Sequence, residues 1–450
     1  MVDTIKQCNT IPYKPLCRYF NKCGGCTAQH IDYHVQLDNK RKMLFDALKT
    51  KENCKDSDDP KINDFKIEDI KVFSDEPYYY RNRMDMIFHN HAKSGVENKY
   101  GKIAGLGFRE KGNWKNIIDV DECKISNEKL NELIKEVREF FGKNGVINNT
   151  NVHNNANNKV DVFDIVKQTG TFKYALIRTP QQDSAISFVL NKDSTKIGEA
   201  QELIKEFAKQ TTANNILITF VSKKADMSVS EDYFVVKGRD VLEEMFLGKT
   251  FLYSIQGFFQ NNSIMAEKMH KYVHALIKSY SNDNNEKTKT SNLLDLYGGV
   301  GTFGIINADL FNSVLSVESF QGCTDASNEN IRLNKIENAK AICLDAKNLK
   351  KLKHSAETKI NDNEKINTKN FFTKPLFVIT DPPRSGMHPK TILELKELKS
   401  EVIIYISCNL NQLKKDLPKF KNYNIKSAAL FDLFPQTLHA EGIVELVKYN

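Results

Sequence analysis

The stretch Leu293–Gly304, LLDLYGGVGTFG, sets the reading of the chain. An apolar run of one buried strand's length ends in a turn carrying Gly298, Gly299 and Gly301, and a helix start follows. Glycine lets the backbone turn tightly and approach a ligand with no Cβ in the way. Glycine turns after strands also arise for purely structural reasons, so the surroundings decide. Glu318 ends the next expected strand, 17 residues after Gly301. A carboxylate there can accept the ribose hydroxyls of a nucleoside cofactor, and an ordinary acidic strand end is the plain alternative. Asp345, after the third strand, is either an adenine contact or a loop acid.

Working outward, strands are expected at Leu293–Tyr297, Ser313–Val317, Ala339–Cys343, Leu376–Thr380 and Val402–Ser407, with helical segments between them. That alternation implies a parallel, doubly wound α/β sheet whose chemistry lies at the carboxyl ends of the strands. Upstream the pattern is α+β. Val160–Val166, Tyr174–Arg178, Ala185–Leu190, Ile216–Val221 and Tyr233–Val236 read as strands, and Ile197–Lys209 as a helix. Three polar stretches, Asn144–Lys159, Ser279–Ser291 and Lys353–Asn370, read as solvated loops. The expected organisation is an α+β region over residues 1–250 and a Rossmann-like domain over 251–450.

The fourth strand runs into Thr380-Asp381-Pro382-Pro383-Arg384. Two prolines freeze that turn and present Asp381 at the strand end, as in Rossmann-type methyltransferases; a dinucleotide dehydrogenase shares only the glycine turn and the acid. Methyltransferases acting on amino groups commonly place an aromatic after the prolines, and Arg384 stands there instead. Cys408 ends the fifth strand, next to this turn. Free cysteine is usually a buried structural residue, but its placement beside the turn makes it a candidate nucleophile. The tail Phe434–Glu441, FPQTLHAE, supplies two candidate bases, His439 and Glu441, of which one faces the pocket if the segment is extended.

The chain has 450 residues, enough for two or three domains, with a net charge of +8 that favours an anionic partner such as nucleic acid. It contains no apolar run long enough for a membrane span, and its first residues lack a secretory signature, so cytoplasmic residence is expected. Cys17, Cys23 and Cys26 crowd into one loop, which outside a secretory context reads as metal-binding. Tyr78-Tyr79-Tyr80-Arg81-Asn82-Arg83 interleaves aromatics and cations, suited to unpaired bases and phosphates or, more plainly, a strand with one wet face; Lys102, Arg109 and Lys111 extend the basic character.

With FFQNN at 258–262, DLYGGVGTF at 295–303, DPPRSGMHP at 381–389, SCN at 407–409 and FPQTLHAEGIVEL at 434–446, the chain resembles the RNA uracil-5-methyltransferases of the TrmA/RumA type, including their iron–sulfur branch. The resemblance runs from Cys17 to Glu445. It implies an S-adenosylmethionine-dependent enzyme forming 5-methyluridine in RNA. Ribosomal RNA is favoured over transfer RNA, because the cluster-bearing branch includes such enzymes. It implies Cys408 as nucleophile toward uracil carbon 6 and Glu441 as the base. Gln260, Tyr297, Thr302, Glu318 and Asp381 become cofactor contacts, Thr302 standing where some members carry Asn. It adds Cys123 to Cys17, Cys23 and Cys26 as ligands of a [4Fe–4S] cluster, while four thiolates also suit zinc; Cys8 and Cys54 are spare thiols that compete for the fourth place. Cys323 and Cys343 are expected in the core. Many members carry a small β-barrel RNA-binding domain, the TRAM domain, before the cysteine loop; 16 residues precede Cys17, so that domain is expected to be absent. A monomer is expected, with RNA as partner. Competing readings are methylation of an exocyclic amine or another base, and a non-catalytic RNA-binding protein.

Overall fold

A computed structural model describes residues 13–52, 65–89, 105–144, 146, 160–282, 287–354, 358–361, 364–366 and 371–449. Cys8, Cys54, Lys102 and nearly all of Asn144–Lys159 lie outside them. The chain divides into two units, neither continuous in sequence. One comprises residues 1–38, 76–240 and 434–438, the other 39–75, 241–433 and 439–450. The sequence boundary near residue 250 thus has no counterpart for segments 39–75 and 434–438, which group with residues remote in sequence.

In the first unit the described strands form a sheet ordered Asn113–Asp119, Gly105–Glu110, Arg83–His89, Phe172–Arg178, Ala185–Asn191, Asn215–Val221, Tyr233–Lys237. Neighbours are antiparallel except Ala185–Asn191 and Asn215–Val221, which the helix Ile197–Gln210 connects as a crossover. Helix Glu128–Lys143 forms because apolar Leu130, Leu133, Ile134, Val137 and Phe141 recur at helical spacing, and all are buried. Asn127 caps it, its side chain accepting the Leu130 amide at 2.8 Å. Phe88, Phe141, Phe172, Phe188 and Phe207 form an edge-and-tilt aromatic cluster between sheet and helices. Val160–Val166 is not the expected strand: it makes only isolated bridges, Val162 to Phe172 and Asp164 to Thr169.

Residues 434–438 join this unit by hydrogen bonds. The Thr27 and Ala28 amides donate to the Gln436 carbonyl, each at 3.0 Å, and Tyr80 Oη donates to the Pro435 carbonyl at 3.0 Å. Gln36 Nε2 donates to Gln436 Oε1 at 3.1 Å and to the Ala28 carbonyl at 3.0 Å, while the Gln436 amide donates back to Gln36 Oε1 at 3.2 Å.

The second unit holds a sheet ordered Lys71–Phe73, Tyr423–Phe431, Glu441–Lys448, Val402–Ser407, Leu376–Thr380, Asn292–Leu296, Ser313–Glu318, Ala339–Cys343. The five expected strands are present, parallel, with ends within a residue of the reading. The tail strands Tyr423–Phe431 and Glu441–Lys448 are antiparallel additions, and Glu441–Lys448 lies directly beside Val402–Ser407. Strand Asn292–Leu296 has Ser313–Glu318 on one side and Leu376–Thr380 on the other, so the order of connection reverses there. That switch point opens a crevice at the strands' carboxyl ends. Lys40 Nζ and Asp432 Oδ1 pair at 2.7 Å with side chains 2% and 0% exposed. Phe73 stacks on Phe431 at 4.4 Å.

Two polar stretches are more ordered than expected. Ser279–Ser291 includes the end of helix Ser263–Asn282 and the turn Lys287–Thr290, and Lys353–Asn370 includes the paired strands Thr358–Asn361 and Glu364–Ile366. No helix among the described residues is long and apolar enough to cross a membrane.

Candidate active site

The glycine turn sits on the buried strand Asn292–Leu296, whose Asp295 is 1% exposed. Asp295 Oδ2 accepts the Gly304 amide at 3.1 Å and Ser316 Oγ at 3.2 Å, while Oδ1 has no partner. Burial pushes its carboxyl up to about 7. A Cβ on Gly298 would stand 1.9 Å from Ser316 Oγ, and Gly301 holds φ +89° with Ser327 Oγ 2.4 Å from where its Cβ would be. Both positions therefore exclude larger residues. Tyr297 takes φ 59°, an uncommon left-handed conformation for a bulky side chain, at the first step past the strand.

Beside this turn lies a cavity of about 400 Å³, within the roughly 300–1,000 Å³ typical of ligand sites. Tyr297, Val317, Leu344, Ala346 and Met387 wall it, with Ser319, Asp345 and His388 as polar lining. Of the expected cofactor contacts, Tyr297 lines it directly. Glu318 stands between lining residues Val317 and Ser319, its carboxylate accepting the Gly299 amide at 3.2 Å and the Phe320 amide at 3.0 Å. Asp345 lines the cavity and also caps its own loop, accepting the Lys347 amide at 3.1 Å. Asp381 begins the turn that supplies lining residue Pro383. Thr302 opens helix Thr302–Asn307 and Gln260 lies half-buried in the loop before helix Ser263–Asn282; neither is among the lining residues. Residues 385–389 were missed as cavity lining although their motif, RSGMHP, was conspicuous.

Cys408 follows strand Val402–Ser407, as expected. Ser407 pairs with Gly442 across the antiparallel ladder, so one further step sets Cys408 against Glu441. Glu441 is 3% exposed, whereas His439 is exposed. Burial raises the Cys408 thiol to about 11, with Glu441 and Asp381 adding to the rise and Arg384 opposing it. Burial and then Asp381 hold the Glu441 carboxyl well above the ordinary carboxylate range, Arg384 again opposing. Burial and then Asp295 push Asp381 up to about 7. Cys408, Glu441, Asp381 and Arg384 thus lie close enough to act on one another electrostatically. Asn409 ties the Cys408 segment to the Pro-Pro turn, capping helix Leu410–Asp416 and donating Nδ2 to the Arg384 carbonyl at 2.9 Å. Arg384 and Asn409 are the members whose contribution to this cluster sequence reasoning missed; their adjacency to the Pro-Pro turn and to Cys408 was the available signal.

In the first unit, Cys17, Cys23, Cys26 and Cys123 pack against the core; burial first, and then the nearness of Cys123, makes the Cys17, Cys23 and Cys26 thiols harder to ionise. Burial, the larger effect, takes Cys23 and Cys26 to about 12. Tyr19 Oη donates to Asp121 Oδ1 at 2.6 Å, tying the cysteine loop to the segment of Cys123. As they stand, no three His, Cys, Asp or Glu side chains among the described residues have metal-holding geometry, so the thiols are gathered but not preset as a cage. Cys323 is half-buried and Cys343 exposed, so Cys343, at a strand end, is not the core residue expected. Of the three tyrosines, Tyr80 is buried, Tyr78 half-buried and Tyr79 40% exposed with Lys124 over its ring. Arg83 is paired with Asp85 at 2.9 Å and Arg109 with Asp226 at 2.7 Å, while Lys111 is exposed.

The chain is 30% identical over 439 residues to an uncharacterized RNA methyltransferase of Caldanaerobacter subterraneus, covering 95% of this chain and 84% of that one. It is 28% identical over 435 residues to the tRNA (uracil(54)-C(5))-methyltransferase of Pyrococcus abyssi, covering 96% and 86%. The crystal structure of the Pyrococcus abyssi tRNA (uracil-54, C5)-methyltransferase in complex with S-adenosyl-L-homocysteine matches at TM-score 0.65 and 25% identity, over 94% of this chain and 86% of that one. The Rossmann-like reading of the second unit therefore stands. A family model described as tRNA (uracil-5-)-methyltransferase matches residues 33–449, a region that starts after Cys26 and contains the glycine turn, Asp381, Cys408 and Glu441. On the breadth of that match, the chain belongs to the tRNA (uracil-5-)-methyltransferase family.

Proposed function

We propose that this enzyme methylates carbon 5 of a uridine in transfer RNA, with Cys408 as covalent nucleophile and Glu441 as base. The observation that carries the mechanism is the placement of Cys408 at a strand end against Glu441, with Asp381 and Arg384 in range of both. Uracil carbon 5 is a weak nucleophile. Cys408, its thiol proton released to water, adds Sγ to carbon 6, and the displaced π pair passes through carbon 5 to the carbon 4 oxygen as an enolate. Arg384 favours the thiolate that begins this step. S-adenosylmethionine, when bound, supplies the electrophilic methyl that carbon 5 takes. Glu441 then removes the carbon 5 proton, the pair reforms the 5,6 double bond, and the Sγ–carbon 6 bond breaks with the pair returning to sulfur. A buried carboxyl held above its ordinary range is a stronger base once ionised, which suits that abstraction.

The cavity beside Tyr297 fits a nucleoside: apolar walls for a base, Asp345 in its lining, and Glu318 next in sequence to lining residues Val317 and Ser319, for amino and hydroxyl groups. We assign it to S-adenosylmethionine, with Tyr297, Glu318 and Asp381 as contacts and Gln260 and Thr302 carried over from the resemblance. Transfer RNA is preferred to the ribosomal RNA suggested by the cluster-bearing branch, because the Pyrococcus relatives that cover most of this chain carry that substrate in their names. The four thiolates of Cys17, Cys23, Cys26 and Cys123 are chemically suited to a [4Fe–4S] cluster, which is carried over from the resemblance; anaerobic purification followed by iron and sulfide analysis tests it. For the main reading the test is RNA carrying 5-fluorouracil. Fluorine cannot leave as a proton does, so the methylated adduct should remain bonded to Cys408 and migrate with the protein on a denaturing gel. An active enzyme that never becomes trapped refutes the mechanism.

A further inference from the structure

The first unit carries an aromatic that the catalytic reading leaves unused. Trp114 is the single tryptophan of the chain, and it is 56% exposed near the start of strand Asn113–Asp119, beside the turn of the hairpin with Gly105–Glu110. An indole offers a large flat apolar face with a polar edge, which is why tryptophan is enriched where proteins meet their partners. Arg109 and Lys115 approach the ring, the guanidinium carbon 5.8 Å and the ammonium 5.6 Å from its centroid. Arg109 is held in place from both sides, by its Asp226 pair and by a 2.5 Å hydrogen bond to the Trp114 carbonyl. Lys111 at the turn is exposed, and Lys22 lies beside it, its carbonyl accepting the Lys111 amide at 2.8 Å.

The hairpin is also braced. The Gly24 amide donates to the Arg109 carbonyl at 3.0 Å and Cys23 bridges to Glu110, so the cysteine loop lies along the strand that carries Arg109. A Cβ on Gly24 would come 3.3 Å from that carbonyl, which keeps the approach close. The result is a pre-ordered flat ring, open to solvent and ringed by cations, on a hairpin that the cysteine loop holds. Those are the parts of a single-stranded nucleic acid platform: a π-face for a base and charges for its phosphates.

We propose that Trp114 is a base-stacking platform that receives an unpaired nucleotide of the substrate RNA, with Arg109 holding the ring and Lys22, Lys111 and Lys115 meeting the flanking phosphates. This rests on the RNA-methylating reading but concerns recognition at a surface, not the chemistry. Because the tryptophan is unique, fluorescence excited at the red edge of the indole band, where tyrosine does not absorb, reports on it alone. Full-length protein is titrated with a decauridine oligonucleotide, with transfer RNA, and with inorganic polyphosphate as a chain of charges without bases. Stacking predicts quenching by both RNAs and not by polyphosphate. Trp114→Ala should bind decauridine about five- to a hundred-fold more weakly, as the loss of one stacked base implies, and Trp114→Phe should restore most of that affinity. Tight RNA binding with unchanged fluorescence, equal quenching by polyphosphate, or unaltered affinity in Trp114→Ala each overturns the platform while leaving RNA methylation intact. Absence of RNA binding by the wild-type protein instead strikes at the functional reading and takes the platform with it.

Discussion

The buried ion pair between Lys40 and Asp432 offers a perturbation whose size follows from its setting. Nζ and Oδ1 lie 2.7 Å apart, at 2% and 0% exposure, and Asp432 sits nine residues before Glu441. Lys40→Met keeps most of the apolar stem and takes away the cation nearest a fully buried carboxylate. Removing one partner of such a pair costs about 3–5 kcal/mol, because the remaining charge stays in a medium that solvates it poorly. The unit that holds the pair has roughly 240 residues, for which each kcal/mol moves Tm by about 2–4 °C. Lys40→Met should therefore melt about 6–20 °C below wild type at neutral pH, followed by far-ultraviolet circular dichroism. The double variant Lys40→Met, Asp432→Leu removes both charges and should recover most of the loss, since replacing a buried pair by apolar groups is close to neutral. Urea midpoints with an unchanged slope would exclude altered compactness of the unfolded state. If Lys40→Met stays within about 3 °C of wild type, or the double variant is no better than the single, the carboxylate is solvated by other means and the reasoning fails.

Two further outcomes follow from the acids of the second unit. Glu441→Gln cannot take the carbon 5 proton, so turnover should fall by about 10²–10⁴ and a methylated RNA–protein adduct should accumulate on ordinary uracil RNA, absent in Cys408→Ala; normal turnover by Glu441→Gln would assign the base elsewhere. Asp295 titrates near 7 in the fold against an ordinary 3.8, so between those values the unfolded chain is ionised while the folded one keeps its proton. Wild-type stability should fall as pH rises through that window, by up to about 1.4 kcal/mol per pH unit from this group, and level off above 7. Asp381 and Glu441 add slopes of the same sign, so Asp295→Asn should reduce the slope without abolishing it in melts from pH 4.5 to 8, and an unchanged slope would show that this carboxyl is not among the groups that titrate.

How much of this was legible in the sequence depends on the range of the interactions that decide each part. The five parallel strands are short continuous apolar runs, buried on both faces, and could be read to within a residue. Their glycine turn and Pro-Pro turn carry local stereochemistry, so the crevice they flank followed from the alternation of strands and helices. Val160–Val166 misled because its alternating apolar and polar residues mimic a strand, while the backbone makes only isolated bridges to 169 and 172. The placement of Glu441 against Cys408 depends on the tail strand inserting antiparallel between Val402–Ser407 and Tyr423–Phe431, a pairing no local pattern encodes. For the same reason the sequence did not reveal that residues 39–75 and 434–438 change company, nor that Arg384 moderates the thiol. The role of Trp114 escaped notice because a lone tryptophan in a polar hairpin has no periodicity to give it away.

Gln36 and Gln436 exchange hydrogen bonds across 400 positions of chain, in a unit that otherwise ends at residue 240. A ribosome delivers residues in order, so Gln36 and the Thr27 and Ala28 amides must wait for these partners until Gln436 has emerged. Closure over such a separation is slow, and the half-finished unit stays exposed to proteases and aggregation during synthesis. A chain that stops before Phe434 would thus carry a defect in the unit built from residues 1–38 and 76–240.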